Sequence, residues 1–255
     1  MLLIICLVGL MLLIFVYGHM IIDWIIAWIF LRHSLIRFNK RPIRILLVRH
    51  GQSEGNVDPG ILTTKPDHEL ILTSLGEQQA MEAGKKIVKL INNESLYVYL
   101  SPYRRGLQTW EGIYKSLEDS QIITIRQDPR LREQEFGNFT DLSIRDNEVA
   151  ERQRVGRFFY RFRTGESGAD VYDRVSLFLD MIFHEMDNGY HDKTQNILIV
   201  SHEVFIRLLL MRYFRMTVDE HMNIQRFDNG ELVILEKNNG IYTMKNQLSL
   251  PTKTS

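Results

Sequence analysis

The sequence predicts an α/β fold: three layers, α/β/α, around a mainly parallel central sheet, with an N-terminal hydrophobic helix added in front. Three observations carry this. Short apolar runs of strand length alternate with longer segments whose apolar residues recur every three to four positions. Two of the apolar runs end in a histidine, and the first 31 residues are almost free of charge.

In chain order, Met1 to Tyr17 carries no charged residue, and Gly18 to Leu31 carries only Asp23 and, when protonated, His19. At helical rise this stretch exceeds a hydrocarbon core of ~30 Å, so it is expected to be a membrane anchor. Lys and Arg are missing before Arg32 and no A-x-A pattern follows, which argues against a cleaved signal peptide. The flank Arg32, Arg37, Lys40, Arg41 and Arg44 contains no acidic residue, and the positive-inside rule then puts the following domain in the cytosol. The expected organisation is an anchor over 1–31, a basic linker over 32–42 and a catalytic domain over 43–255.

Ile43 to Val48 reads as a buried strand that ends in Arg49-His50-Gly51 and a polar loop. Ser74 and Glu77 have capping-box spacing, and Ala80, Ala83, Ile87 and Leu90 share one face of the helix that follows. Tyr97 to Leu100 is a short strand, broken by Ser101-Pro102 before a helix from about Arg105 to Tyr114. Ile122 to Ile125 is the next strand, and Glu133 to Phe139 should be a loop around Gly137. Val171, Val175, Phe178, Leu179 and Ile182 mark a helix over Asp170 to Met186. Ile197 to Val200 is a second buried strand, which delivers Ser201-His202 into a helix through Val204, Leu208 and Met211. Val233 to Leu235 and Ile241 to Met244, around Asn238-Asn239-Gly240, predict a terminal hairpin.

Composition narrows the chemistry. The 31 Lys+Arg equal the 31 Asp+Glu, so no overall field points to a nucleic-acid partner. The one cysteine, Cys6, lies in the apolar run, which excludes intramolecular disulfides and leaves cysteine phosphatase chemistry without a nucleophile in the main domain. His68, His184, His191 and His221 have no metal-ligand spacing, and no metal or cofactor is expected. There is no Walker loop, G-x-S-x-G elbow or D-x-D motif.

What remains is imidazole chemistry. In open α/β sheets ligands bind beyond the carboxyl ends of strands, so His50 and His202 are expected to share a crevice. Arg49 and Arg105 can present forked guanidiniums to phosphate oxygens, a neutral imidazole can attack phosphorus without a metal, and Glu133 can supply a proton to a departing alkoxide. Arg157 and Arg161, spaced i,i+4 within a basic, aromatic stretch, are expected to share a helix face and meet a polyanionic substrate or an anionic membrane.

Leu47-Val48-Arg49-His50-Gly51-Gln52-Ser53-Glu54-Gly55-Asn56 resembles the signature of the histidine phosphatase superfamily, the phosphoglycerate-mutase-like proteins. Leu72 to Ala80, Ser101 to Thr109, Leu131 to Gly137 and Val200-Ser201-His202 resemble its further motifs, in family order. Tyr103, Phe136 to Phe139 and Gly156 to Phe162 are similar to a plant group of phosphoglycerate-mutase-like proteins of unsettled substrate.

The resemblance implies a phosphoglycerate-mutase-like fold and a two-step reaction: His50 takes the phosphoryl group while Glu133 protonates the leaving oxygen, and water, deprotonated by Glu133, then releases phosphate. It implies that Arg49, Arg105 and His202 bind the phosphate, with Asn56 adding a neutral hydrogen bond. A neutral His50 and a protonated His202 are expected, giving activity that depends on pH from both sides. The family usually has glycine where Glu203 stands. A carboxylate opening a helix suits the helix dipole, and Glu203 is expected to point outward. The alternatives are a phosphoglycerate-type mutase, disfavoured by Gly55 where that branch usually has tryptophan, and a catalytically impaired protein that binds a phosphorylated ligand.

Overall fold

The computed structural model describes residues 15, 17–32, 40–138, 141–192 and 194–245. Residues 1–14 and 16 of the expected 1–31 anchor, the 33–39 part of the basic linker, and Phe139 lie outside these residues. Residues 17–32 are helical, with Trp24, Trp28, Ile21, Ile25 and Phe30 exposed. Among the described residues no helix is long and apolar enough to cross a membrane.

Six strands form one sheet in the order β3-β2-β4-β1-β5-β6: β1 Arg44–Arg49, β2 Leu96–Leu100, β3 Ile122–Gln127, β4 Asn196–Ser201, β5 Leu232–Asn238 and β6 Ile241–Met244. The first four run parallel, and β5 lies antiparallel to β1 and to β6, so the predicted terminal hairpin is present. The chain between the strands forms α1 Glu54–Val57, α2 Ser74–Ile91, α3 Arg104–Tyr114, α4 Leu142–Val155, α5 Gly168–Asp187, α6 Glu203–Phe214 and α7 Val218–Met222.

The central strands are apolar at successive positions because both of their faces are covered. Leu46 and Val48 of β1 join Val98, Leu100, Leu198 and Val200 in a core with Ala83 and Ile87 of α2 and Trp110 and Ile113 of α3. Ile45 and Leu47 point the other way, with Tyr99, Ile197 and Ile199, into a core with Val171, Val175 and Phe178 of α5 and Phe205 and Leu209 of α6. This alternation produces helices on both faces of the sheet.

Two details differ from the sequence reading. Thr73, not Ser74, caps α2, its hydroxyl accepting from Gly76 N at 3.1 Å. The segment 142–155, for which no apolar stripe predicted a helix, forms α4, capped by Asp141 and stopped by Gly156 at φ +105°. That stop corrects the expectation for Arg157 and Arg161: both lie beyond the helix and share no helical face.

Candidate active site

β1 and β4 are neighbours in register, Arg49 opposite Ser201, so the residues that follow them emerge side by side. His50 N donates to Ser201 O at 2.9 Å, and the His50 and His202 rings lie 4.9 Å apart. The turn after His50 is held by close packing: a Cβ on Gly51 would sit 2.3 Å from Gly76 O, so only glycine lets the loop lie against α2. Gly51 N then donates to Thr109 Oγ1 at 3.0 Å, joining the loop to α3 one turn beyond Arg105.

The hydrogen bonds define the His50 tautomer. Nδ1 lies 2.7 Å from Gly51 O, a carbonyl that can only accept, so Nδ1 carries the proton and Nε2 keeps a free lone pair. Arg105 Nε donates to that lone pair at 3.2 Å. Burial holds His50 well below the usual histidine range, and the Arg105 and Arg49 guanidiniums lower it further. The geometry and the electrostatics both describe a neutral imidazole with Nε2 unprotonated.

His202 departs from expectation. Burial, then Arg105 and His50, also press its pKa well below the usual value, so both imidazoles are neutral rather than oppositely charged. Its Nε2 meets Ser101 Oγ at 2.7 Å and its buried Nδ1 has no protein partner. In the tautomer in which Ser101 donates to Nε2, the proton sits on Nδ1 and the ring offers an oxyanion a hydrogen bond without a charge.

Glu133 is buried in the loop after β3, and burial raises its carboxyl to about 7 against the opposing pull of Arg105. Glu135, its neighbour in sequence, is exposed, which identifies Glu133 as the carboxyl of the site. The acid loop is tied down by residues with no motif of their own. Arg174 of α5 donates to the carbonyls of Arg130, Arg132 and Glu133 at 2.6, 2.8 and 3.0 Å, and Glu166 holds that guanidinium through two contacts of 3.1 Å. Ser201 Oγ donates to Leu131 O at 2.7 Å from the sheet side.

The two arginines are positioned differently. Arg105 is buried, and its terminal nitrogens donate to Asp67 Oδ1 and Oδ2 at 2.9 and 3.2 Å. Arg49 donates from one terminal nitrogen to Phe227 O while its buried Nε has no protein partner. Asn56 lines the cavity, but its carbonyl oxygen is taken up by Ser53 and Asn229, leaving Nδ2 for a ligand.

Glu203 corrects the expected outward orientation. It is buried, 2.7 and 3.1 Å from Arg226, 3.6 Å from Arg49 and 3.9 Å from Arg207. Three guanidiniums outweigh the helix dipole, which needs the carboxylate only near the first turn. Arg161 faces away from the site and pairs with Asp170, whereas Arg157 lines a smaller cavity behind Glu203.

The central cavity is about 340 Å³ and takes in Arg49, His50, Arg105, Glu133, Asn56 and Glu203. One donor atom from each of His50, Glu133 and His202 lies within 4.8 Å of the others, the one His/Cys/Asp/Glu group of metal-binding geometry among the described residues. The sequence reading had assigned these three residues to one site, and the structure adds how closely three separate segments bring them together. Arg49 and Arg105 flank the cluster, and their charges favour an anion there over a cation.

A family model described as the histidine phosphatase superfamily (branch 1) matches residues 45–247. The chain belongs to this superfamily. Among curated relatives it is 43% identical over 209 residues to the phosphoglycerate mutase-like protein AT74H of Arabidopsis thaliana, covering 76% of this chain and 74% of the relative. It is 25% identical over 297 residues to the broad-range acid phosphatase DET1 of Saccharomyces cerevisiae, covering 80% and 88%. Among solved structures, the alpha-ribazole phosphatase of Shigella flexneri aligns with a TM-score of 0.60 at 26% identity, over 79% of this chain and 94% of that one.

Proposed function

We propose that this histidine phosphatase hydrolyses phosphoric monoesters of small molecules, without a metal, through a phosphohistidine on His50. The observation that carries the reading is the pairing, in one buried cluster, of an unprotonated His50 Nε2 with a Glu133 carboxyl raised to about 7. Nε2 attacks phosphorus, the ester P–O bond breaks, and the Glu133 carboxyl gives its proton to the leaving alkoxide. Water then attacks the phosphohistidine, Glu133 takes its proton, the P–N bond breaks and its electron pair returns to Nε2. Arg49 Nε, the Arg105 guanidinium and His202 Nδ1 stabilise the oxygens that gain charge.

The working range follows from the two groups. His50 stays neutral to well below its usual range, while Glu133 is protonated below about 7, so the first step runs best on the acid side of neutrality. A yeast relative named as an acid phosphatase fits this range. The metal-free part is tested by hydrolysis of p-nitrophenyl phosphate after exhaustive chelation. The expected rate is within about twofold of the untreated protein; loss of activity restored by a divalent cation would contradict the reading.

We also propose that the apolar N-terminal segment rests in a bilayer with the catalytic domain on the cytosolic side. The exposed Trp24, Trp28 and Phe30 support it. The basic flank supports it less than the sequence suggested, since Lys40, Arg41 and Arg44 pair with Asp192, Asp187 and Glu94 within the fold. Flotation of the full chain with anionic vesicles is expected, and recovery of all protein at the bottom of the gradient would refute it.

A further inference from the structure

Behind Glu203, next to the catalytic cavity, lies a second, smaller one of about 80 Å³, walled by Arg152, Arg157, Arg207, Arg226 and His221. Arg152, Arg226 and Glu203 line both cavities, so the two adjoin across these side chains. The charge around the smaller one does not balance. Four guanidiniums surround it and Glu203 is the one carboxylate in its wall, already engaged by Arg226 and Arg207 on this side and Arg49 on the other.

Arg152 is held by aromatic faces rather than by an acid: its guanidinium lies 5.6 Å from the Phe136 ring and 5.5 Å from the Phe162 ring, with a 3.4 Å contact to Gln134 Oε1. Three buried nitrogens of this wall, Arg152 Nε, Arg207 Nε and His221 Nδ1, have no hydrogen-bond partner in the protein. Unpaired buried donors are costly, and a cluster of them marks a place where a ligand's acceptors complete the set. Burial and mutual repulsion lower the Arg152 and Arg207 pKa values, the direction expected where cations are gathered without enough counter-charge. The catalytic cavity shows the same pattern, with Arg49 Nε and His202 Nδ1 unpaired where a phosphoryl group would sit.

We propose that the smaller cavity is a second oxyanion site, which takes a distal phosphoryl or carboxylate group of the same substrate whose scissile phosphoryl group meets His50. This selects small phosphoesters with two separated anionic groups over simple monophosphates, and places Glu203 as a partition between the two sites, screening one from the other. The inference rests on the phosphoester reading of the catalytic site.

The test is binding rather than turnover, so that it stands apart from hydrolysis. His50→Asn full chain is titrated calorimetrically with propyl phosphate, with α,ω-alkanediol bisphosphates of two to six carbons, and with ω-carboxyalkyl phosphates of the same lengths. At least one bifunctional probe is expected to bind ten-fold or more tighter than propyl phosphate, and whether it ends in phosphate or carboxylate identifies the distal group. Arg152→Gln, and separately the exposed Arg157→Gln, which has no buried contact to lose, should bring that ratio down at least three-fold. Equal affinities for mono- and bifunctional probes at every length, or a ratio that neither substitution changes, would overturn the second site. Failure of the phosphatase reading shows differently, as wild-type protein that binds phosphoesters without turning them over.

Discussion

The floor of the cavity and its arginine wall are built by opposite means. On the floor, His50 and His202 stand at the ends of adjacent parallel strands, buried, neutral and held through backbone hydrogen bonds and close glycine packing. Arg145, Val149 and Arg152 lie along one face of α4, in a wall completed by Arg226, part exposed and held by charges and aromatic faces. The contrast assigns the roles: the rigid, desolvated floor suits bond making, where small displacements are expensive, and the charged wall suits recognition. Floor substitutions should therefore change turnover, and wall substitutions should change which ligand is preferred.

The largest effect is expected at the nucleophile. His50→Asn should lower kcat for p-nitrophenyl phosphate by about 10⁴-fold or more, with thermal unfolding little changed. A loss of less than tenfold would move the chemistry off the floor.

Glu133→Gln comes next and has two signatures. With an alkyl phosphate, whose leaving group needs a proton, the rate should fall by about 10²- to 10⁴-fold, and far less with p-nitrophenyl phosphate, whose leaving group is stable as an anion. The wild-type fall in kcat/KM above pH about 7 should disappear with the carboxyl that causes it. Stability gives an independent check. The folded value of about 7 lies above the ordinary 4.5, so the unfolded chain ionises first and stability declines as pH rises between those values. Relative to wild type, the glutamine variant should gain about 2–4 kcal/mol between pH 4.5 and pH 8. Urea unfolding at the two pH values measures it, and an equal difference at both would remove the buried, neutral carboxyl from the account.

Arg174→Met sharpens the boundary between floor and loop. Removing one partner of the nearly buried Arg174–Glu166 pair should cost about 3 kcal/mol and loosen the acid loop. The expected kinetic change is about tenfold in kcat and larger for alkyl than for aryl phosphates, because the proton donor is displaced. A drop equal for both leaving groups would indicate general destabilisation instead.

The floor was legible in the sequence because each of its parts leaves a local mark. Ile45 to Val48 and Ile197 to Val200 are apolar at every position, as strands covered on both faces must be, and both deliver a histidine. The wall left no such mark. α4 contributes Arg145, Val149 and Arg152 to the cavity, yet Leu-Ser-Ile-Arg-Asp-Asn-Glu-Val-Ala-Glu-Arg-Gln-Arg-Val has no apolar stripe to announce a helix, because its inward face is partly charged. Arg157 and Arg161 misled for the converse reason: their spacing is helical, but Gly156 ends the helix first. The orientation of Glu203 depends chiefly on Arg226, which reaches it from beyond the next helix, and the neutrality of His202 depends on burial. Neither is a property of neighbouring letters.

In the proposed function both regions serve one covalent step, and that step is open to direct observation. Full-length protein mixed with a ³²P-labelled phosphoester and quenched in alkali within milliseconds should carry label that survives alkali, is released by acid, and maps to the peptide containing His50. Turnover without such label, or label that persists in His50→Asn, would contradict the phosphohistidine account.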